Sequence, residues 1–128
     1  MEKSYHNYPD IAPTIGNYSR AARAGDLFFF AGTTAGGSES EHGDLPAQVR
    51  VTLDRIRRIL EREGQSLGDI VRLVTYVTSI GEWRSHGAEL GEIFEEFFQG
   101  NYPPNTLIGI AELAEPTMKV EIEATAVF

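Results

Sequence analysis

Few side chains in this sequence could do chemistry, and most of them lie in a handful of short stretches. Glu121 and Glu123 stand two residues apart in Lys119 to Val127, where Val120, Ile122, Ala124 and Ala126 alternate with Lys119, Glu121, Glu123 and Thr125. A strand period of two puts the apolar set on one face and the carboxylates on the other. An unpaired carboxylate is costly to bury, so the second face lies against solvent or against a polar cleft. In a cleft such a group is a candidate for general acid/base work; in the outer register of a strand it is more often simply solvated. Tyr18 follows Gly16 and Asn17 at the start of a strand candidate, where a tyrosine most often packs with its hydroxyl at an edge. Asn105 and Thr106 offer an amide and a hydroxyl that could bond a neutral carbonyl, or could only shape the turn into the next strand. Arg84 and His86 fall in a helical stretch, where such residues are usually solvated.

Other chemistries are excluded by what the chain lacks. It has no cysteine, which removes disulfides, thiolate metal sites and a cysteine nucleophile together. His6, His42 and His86 show no pairing at metal-ligand spacing, so no metal is expected. No nucleophile-elbow, Walker-type or dinucleotide pattern is present, and no cofactor is implied. The net charge of −8 repels a phosphate backbone, so a nucleic-acid partner is not expected. Arg55, Arg57, Arg58 and Arg62 do cluster, but Asp54, Glu61 and Glu63 are interleaved, which reads as the solvated face of a helix. No apolar run approaches the roughly 18 residues that cross a bilayer. The start, MEKSYHNYPDIAP, lacks the basic and apolar segments of a signal peptide, so a cytoplasmic protein with no membrane partner is expected.

The elements that must position these residues follow from periodicity. At 128 residues the chain is one domain, residues 1–128, with the proline-punctuated residues 1–14 an extended N-terminal arm or a loose terminus. Tyr18 to Ala22 and Leu27 to Ala31 flank Ala24-Gly25-Asp26 and read as a hairpin, the second strand apolar on both faces. Thr34 to Gly43, small and acidic, reads as a flexible, partly disordered loop. Val49, Leu53, Ile56 and Leu60 recur at helical spacing between Asp44-Leu45-Pro46 and Gly64, a helix with its start and stop signals in place. Val71 to Thr78 is β-branched and apolar on both faces, as a central strand is. Trp83, Leu90, Phe94 and Phe97 mark a second helix from Glu82 to Phe98, weakened at Gly87 and Gly91. Thr106 to Ala111 and Lys119 to Val127 then read as two adjacent strands around a turn-rich link containing Pro116. The order is β-β-α-β-α-β-β, an α+β sandwich with two helices on one face of a single sheet. The other face would carry Phe and Val into water, so self-association is expected.

The sequence of Pro103-Pro104-Asn105-Thr106, an apolar strand, a short link and the closing Val120-Glu121-Ile122-Glu123-Ala124-x-Ala126 resembles the C-terminal signature of the Rid/YjgF family, the reactive intermediate deaminases also labelled L-PSP endoribonucleases. Ile15-Gly16-Asn17-Tyr18-Ser19 extends the resemblance over nearly the whole chain. It implies a chorismate-mutase-like (YjgF-like) homotrimer binding a small-molecule ligand in clefts between subunits. It also implies that Glu121 is the catalytic carboxylate that activates water, and that Tyr18 lines the cleft. Ala31-Gly32-Thr33 matches a Ser-Gly-Gln stretch, so a ligand-bonding hydroxyl is missing at Ala31 while the Gly32 backbone and the Thr33 hydroxyl remain. Asn105 stands where the deaminating members carry an arginine, and a neutral amide supplies neither the charge nor the fork that grips a carboxylate. Ordinary 2-imino acid hydrolysis is therefore not expected. Against that family's pattern the chain is about four residues longer between Trp83 and Phe97, about one extra helical turn or a small insertion broken at Gly87, and Arg84 there is a candidate for replacement charge. The resemblance points to hydrolytic deamination or tautomerisation of another enamine or imine, with a catalytically silent trimeric ligand-binding or regulatory protein as the alternative.

Overall fold

The computed structural model describes residues 1–128. Six strands form one sheet in the order β1-β2-β3-β6-β4-β5, namely β1 Lys3–His6, β2 Ala21–Ala24, β3 Leu27–Phe30, β4 Ile70–Val77, β5 Asn105–Gly109 and β6 Val120–Val127. Helices α1 Leu45–Arg62, α2 Ile80–Ser85 and α3 Gly87–Phe98 complete the fold. The α+β architecture and the helix layer agree with the periodicity. No helix is long and apolar enough to cross a membrane.

The alternation in β6 becomes the partition of the molecule. Ile122 lies opposite Thr75, Ala124 opposite Leu73 and Ala126 opposite Phe28, and these residues face the helices in a core with Leu53, Ile56 and Leu60 of α1. Each large side chain so buried contributes about 1.5–3 kcal/mol. The next register, Glu121 opposite Tyr76, Glu123 opposite Val74 and Thr125 opposite Phe29, faces the other way. On that face Leu27, Phe29 and Val127 remain about 40% exposed. β3 and β4 both run antiparallel to β6, so α1 makes a crossover between parallel strands, and α2 with α3 makes another from β4 to its parallel partner β5.

Helix α1 ends as its sequence dictates. Asp44 caps the start by accepting from the Ala47 amide at 3.0 Å, and Pro46 fits the first turn, where no amide is needed. At the other end Gly64 takes φ +77°, and the Gly64 and Gln65 amides donate back to the Glu61 and Leu60 carbonyls at 3.0 and 2.8 Å. This left-handed closure suits glycine.

Several expectations are corrected. The N-terminal arm is not loose: β1 pairs with β2, and Tyr8, Ile11 and Ala12 are core residues. Tyr8 further donates to Glu63 at 2.7 Å, and Arg62 holds Asp10 through two bonds of 2.9 and 2.7 Å. β5 and β6 are not adjacent, because the link carries the chain across β4, whose backbone pairs with β5 along one edge and with β6 along the other. The second helix is two, α2 and α3, parting at His86 with φ −103° and ψ 20° just before Gly87. The 34–43 loop is not disordered but a run of bonded turns: Gly36 donates to the Thr34 hydroxyl, Gly37 to Glu41, and the Ser38 hydroxyl to the Ala35 carbonyl. Tyr18 precedes β2 rather than lying in it.

Candidate functional site

A pocket of about 700 Å³ opens where the chain leaves the sheet at the end of β3. One wall is the Ala12 to Arg20 segment, another is the 31–37 stretch, and the Ala114 to Met118 link closes a third side. Glu121 enters from β6 and Arg55 from α1. The volume is that of a site for a small organic molecule. Tyr18, Ala31, Gly32, Thr33 and Glu121, five of the residues singled out in the sequence, all line it.

The position of Glu121 is set by backbone pairing. Thr33 and Ile122 exchange both amide–carbonyl bonds at 2.9 Å, a bridge that lays Gly32 against the Glu121 side chain. A Cβ on Gly32 would fall 2.2 Å from Glu121 Oε2, so glycine is required there for space. Glu121 is half-buried and accepts no hydrogen bond from the protein; as no buried side-chain oxygen lacks a partner, its carboxylate oxygens are open to the pocket. Burial pushes its carboxyl above the usual range, Arg20 opposes this, and Glu123 adds to it. The Thr33 hydroxyl, by contrast, donates to the Ala31 carbonyl at 3.2 Å.

Tyr18 and Arg20 form the adjoining wall. Arg20 is 4% exposed, and its guanidinium donates to the carbonyls of Ala12 at 3.0 Å, Gly32 at 2.7 Å and Pro13 at 3.1 Å. A longer contact of 3.4 Å reaches the Tyr18 hydroxyl, and the guanidinium lies 5.5 Å from that ring's centre. Arg20 therefore ties the N-terminal segment and the 31–37 stretch into one wall. Arg55, expected on a solvated face, is instead buried at 9% exposure and donates to the Thr34 carbonyl at 2.6 Å. Neither arginine was marked as a site residue by the sequence. A signal was present for Arg55: Gln48, Thr52, Arg55 and Ile59 recur at four, three and four residues, which puts three polar side chains on a buried stripe of α1.

Three expected site residues lie elsewhere. Asn105 pairs with Leu73 and so faces the helices, where its Oδ1 accepts from the Thr75 hydroxyl at 2.8 Å. Glu121 faces the opposite side of the sheet. Thr106 shares that side but lines a separate groove of about 180 Å³ with Arg72, Tyr76 and Glu123. Arg84 is exposed on α2, outside the pocket. Glu123 accepts from the Tyr76 hydroxyl.

The chain is thus a single α+β sheet-and-helix domain with a ligand-sized, carboxylate-bearing pocket at the end of β3. Residues 10–128 match the family described as Endoribonuclease L-PSP, and the chain belongs to it. It is similar to Rv2704 from Mycobacterium tuberculosis, a member of the YjgF/YER057c/UK114 family, with 34% identity, TM-score 0.78, and 99% of this chain and 100% of that one covered. It is also similar to Escherichia coli TdcF solved with bound serine, at 26% identity and TM-score 0.80 over 98% of each chain. A 2-iminobutanoate/2-iminopropanoate deaminase of Dermatophagoides farinae is 24% identical over 121 residues, 91% of each chain. The Rid/YjgF resemblance read from the C-terminal strand is thus established.

Proposed function

We propose that this chain is a Rid-family enzyme that hydrolyses or tautomerises a small enamine or imine, with Glu121 as the catalytic carboxylate. The observation that carries this is the half-buried Glu121 carboxylate, free of protein hydrogen bonds and open to a ligand-sized pocket beside Gly32 and Tyr18. A carboxyl raised by burial is matched to proton transfer nearer neutral pH. In the hydrolytic reaction Glu121 takes one proton from water as its oxygen bonds to the imine carbon and gives it to the nitrogen. The hydroxyl proton of the resulting carbinolamine then passes by the same carboxylate to the nitrogen, and the C–N bond breaks to release ammonia and leave a carbonyl. The deaminase named among the relatives and the serine bound in TdcF support a small nitrogenous ligand.

Trimeric assembly belongs to the same proposal. Asn105, Thr106 and Arg84 lie off the pocket of their own chain, and a neighbouring subunit is what would bring any of them to it. With neutral Asn105 at the position the family's deaminases fill with arginine, the substrate differs from the standard 2-imino acids. The test is ammonia release from imines generated in situ by amino-acid and amine oxidases. Glu121→Gln keeps the shape and removes the base, so turnover of the best substrate falls roughly 10²-fold or more with folding intact. Equal turnover in the variant sinks the assignment, and ligand binding without turnover in wild type marks a silent binder instead.

A further inference from the structure

Arg20 and Arg55 are the two cationic side chains of the pocket, and neither forms a salt bridge. Both are more than nine-tenths buried. A buried charge needs partners, and the two meet this need unequally. Arg20 engages all three of its nitrogens, chiefly with backbone carbonyls. Arg55 makes a single bond, from Nη1 to the Thr34 carbonyl. Its Nε and Nη2 make none, and since no buried side-chain nitrogen of the chain lacks a partner, these two are open to the cavity. Burial, then the charges of Arg20 and Arg58, act against the charged form of Arg55, so an anion beside Arg55 in the pocket would relieve a repulsion already built into the fold.

We propose that Arg55, backed by the charge of Arg20, is an anion subsite that holds the carboxylate of a small organic molecule inside this pocket. The free Nε and Nη2 form one side of the guanidinium fork, the geometry that takes a carboxylate through two parallel charge-assisted bonds. A monoanion fits better than a phosphate dianion, because Glu41, Glu115 and Glu121 line the same cavity and leave little excess positive charge. Insofar as it concerns catalysis, the subsite rests on the function proposed above. It deepens that function by moving the ligand's acidic end from position 105, at the sheet edge, to the α1 wall of the pocket. The neutral Asn105 then marks relocated recognition of acids, with the carboxylate set differently from the reacting C–N bond than in a standard 2-imino acid.

The test reads binding without turnover. The full-length protein is titrated with butanoate, with its neutral isostere butanamide and with inorganic phosphate, following the arginine Nε–H resonances by NMR. The Arg55 Nε–H signal is expected to shift saturably with butanoate, and butanamide and phosphate to bind at least about tenfold more weakly. Arg55→Gln should weaken butanoate by at least about tenfold while Arg55→Lys restores part of the loss and Arg50→Gln, on an exposed part of the same helix where Arg50 pairs with Glu96, changes nothing. Equal binding of butanoate and butanamide by wild type would overturn the subsite, whatever the variants do to folding, as would preferential binding of phosphate. Unchanged affinity in folded Arg55→Gln would overturn it too. An inactive wild type that shows the butanoate shifts upholds the subsite and removes the catalytic reading alone.

Discussion

At Glu121 the position of one carboxylate is fixed by a neighbour that has no side chain. Gly32 leaves the space the carboxylate fills, and the Thr33–Ile122 bridge holds the two strands in the register that makes them meet. The raised carboxyl of Glu121 has a consequence for stability. Folding holds the proton more tightly than the unfolded chain, whose ordinary value is 4.5, so the folded state binds more protons between the two values. The contribution is fully present below the unfolded value and is lost as pH rises through the folded one. Glu121→Gln, which cannot ionise, should therefore melt at a higher temperature than wild type near pH 7, and the difference should close below about pH 4.5. Thermal melts from pH 4 to 8 check this, and a gap that widens toward acid reverses the sign. Alternation in β6 made Glu121 legible as an outward carboxylate. Its partner Gly32 and the resident Arg20 and Arg55 depend on how separate elements approach one another, which periodicity along one element does not report.

Among the elements, α1 and β6 were the plainest in the sequence, because each repeats a period over many residues: Val49, Leu53, Ile56 and Leu60 in one, Val120 to Ala126 in the other. The N-terminal segment was not resolved by its sequence, for the opposite reason. Four residues of β1 are too short to show alternation, and Tyr8, Ile11 and Ala12 are buried by tertiary contact rather than by any local pattern. The pocket depends on another non-local device, the side chain of Gln48 on α1. Its Nε2 donates to the carbonyls of Glu41, Gly43 and Thr117 at 3.1, 3.2 and 2.9 Å, and its Oε1 accepts from the Lys119 amide at 2.9 Å. One amide, 1% exposed, thus joins the 34–43 turns to the 110–119 link, two of the pocket's walls. Gln48→Leu leaves those backbone groups without their partner, and an unmade buried hydrogen bond costs about 1–3 kcal/mol. We expect a loss of at least about 2 kcal/mol by urea denaturation, together with weaker ligand binding. A variant as stable as wild type would show that water serves these groups equally well.

The whole molecule presents one face that a lone chain leaves unfinished. Leu27, Phe29, Val127 and Ile108, each between 37% and 41% exposed, lie on the sheet face opposite the helices, with Tyr5 beside them at 67%. That apolar strands were two-sided was readable in Leu27 to Ala31 and Val71 to Thr78; which residues stay uncovered needed the register. An exposed apolar sheet of this kind marks an association surface, and closed symmetry lets one patch serve every copy. The same assembly would give the β5 edge, with Asn105 and Thr106, a neighbour's pocket to complete. Light scattering at micromolar concentration should return about three times 14.2 kDa. Phe29→Glu puts a charge where the proposed subunits meet, and it should shift the mass toward 14.2 kDa while leaving the helix content unchanged. Ligand binding should fall with the mass if the cleft is shared between chains. A monodisperse wild-type monomer would sink the trimer and the shared cleft together, and a dissociated Phe29→Glu that binds ligand normally would confine the site to a single chain.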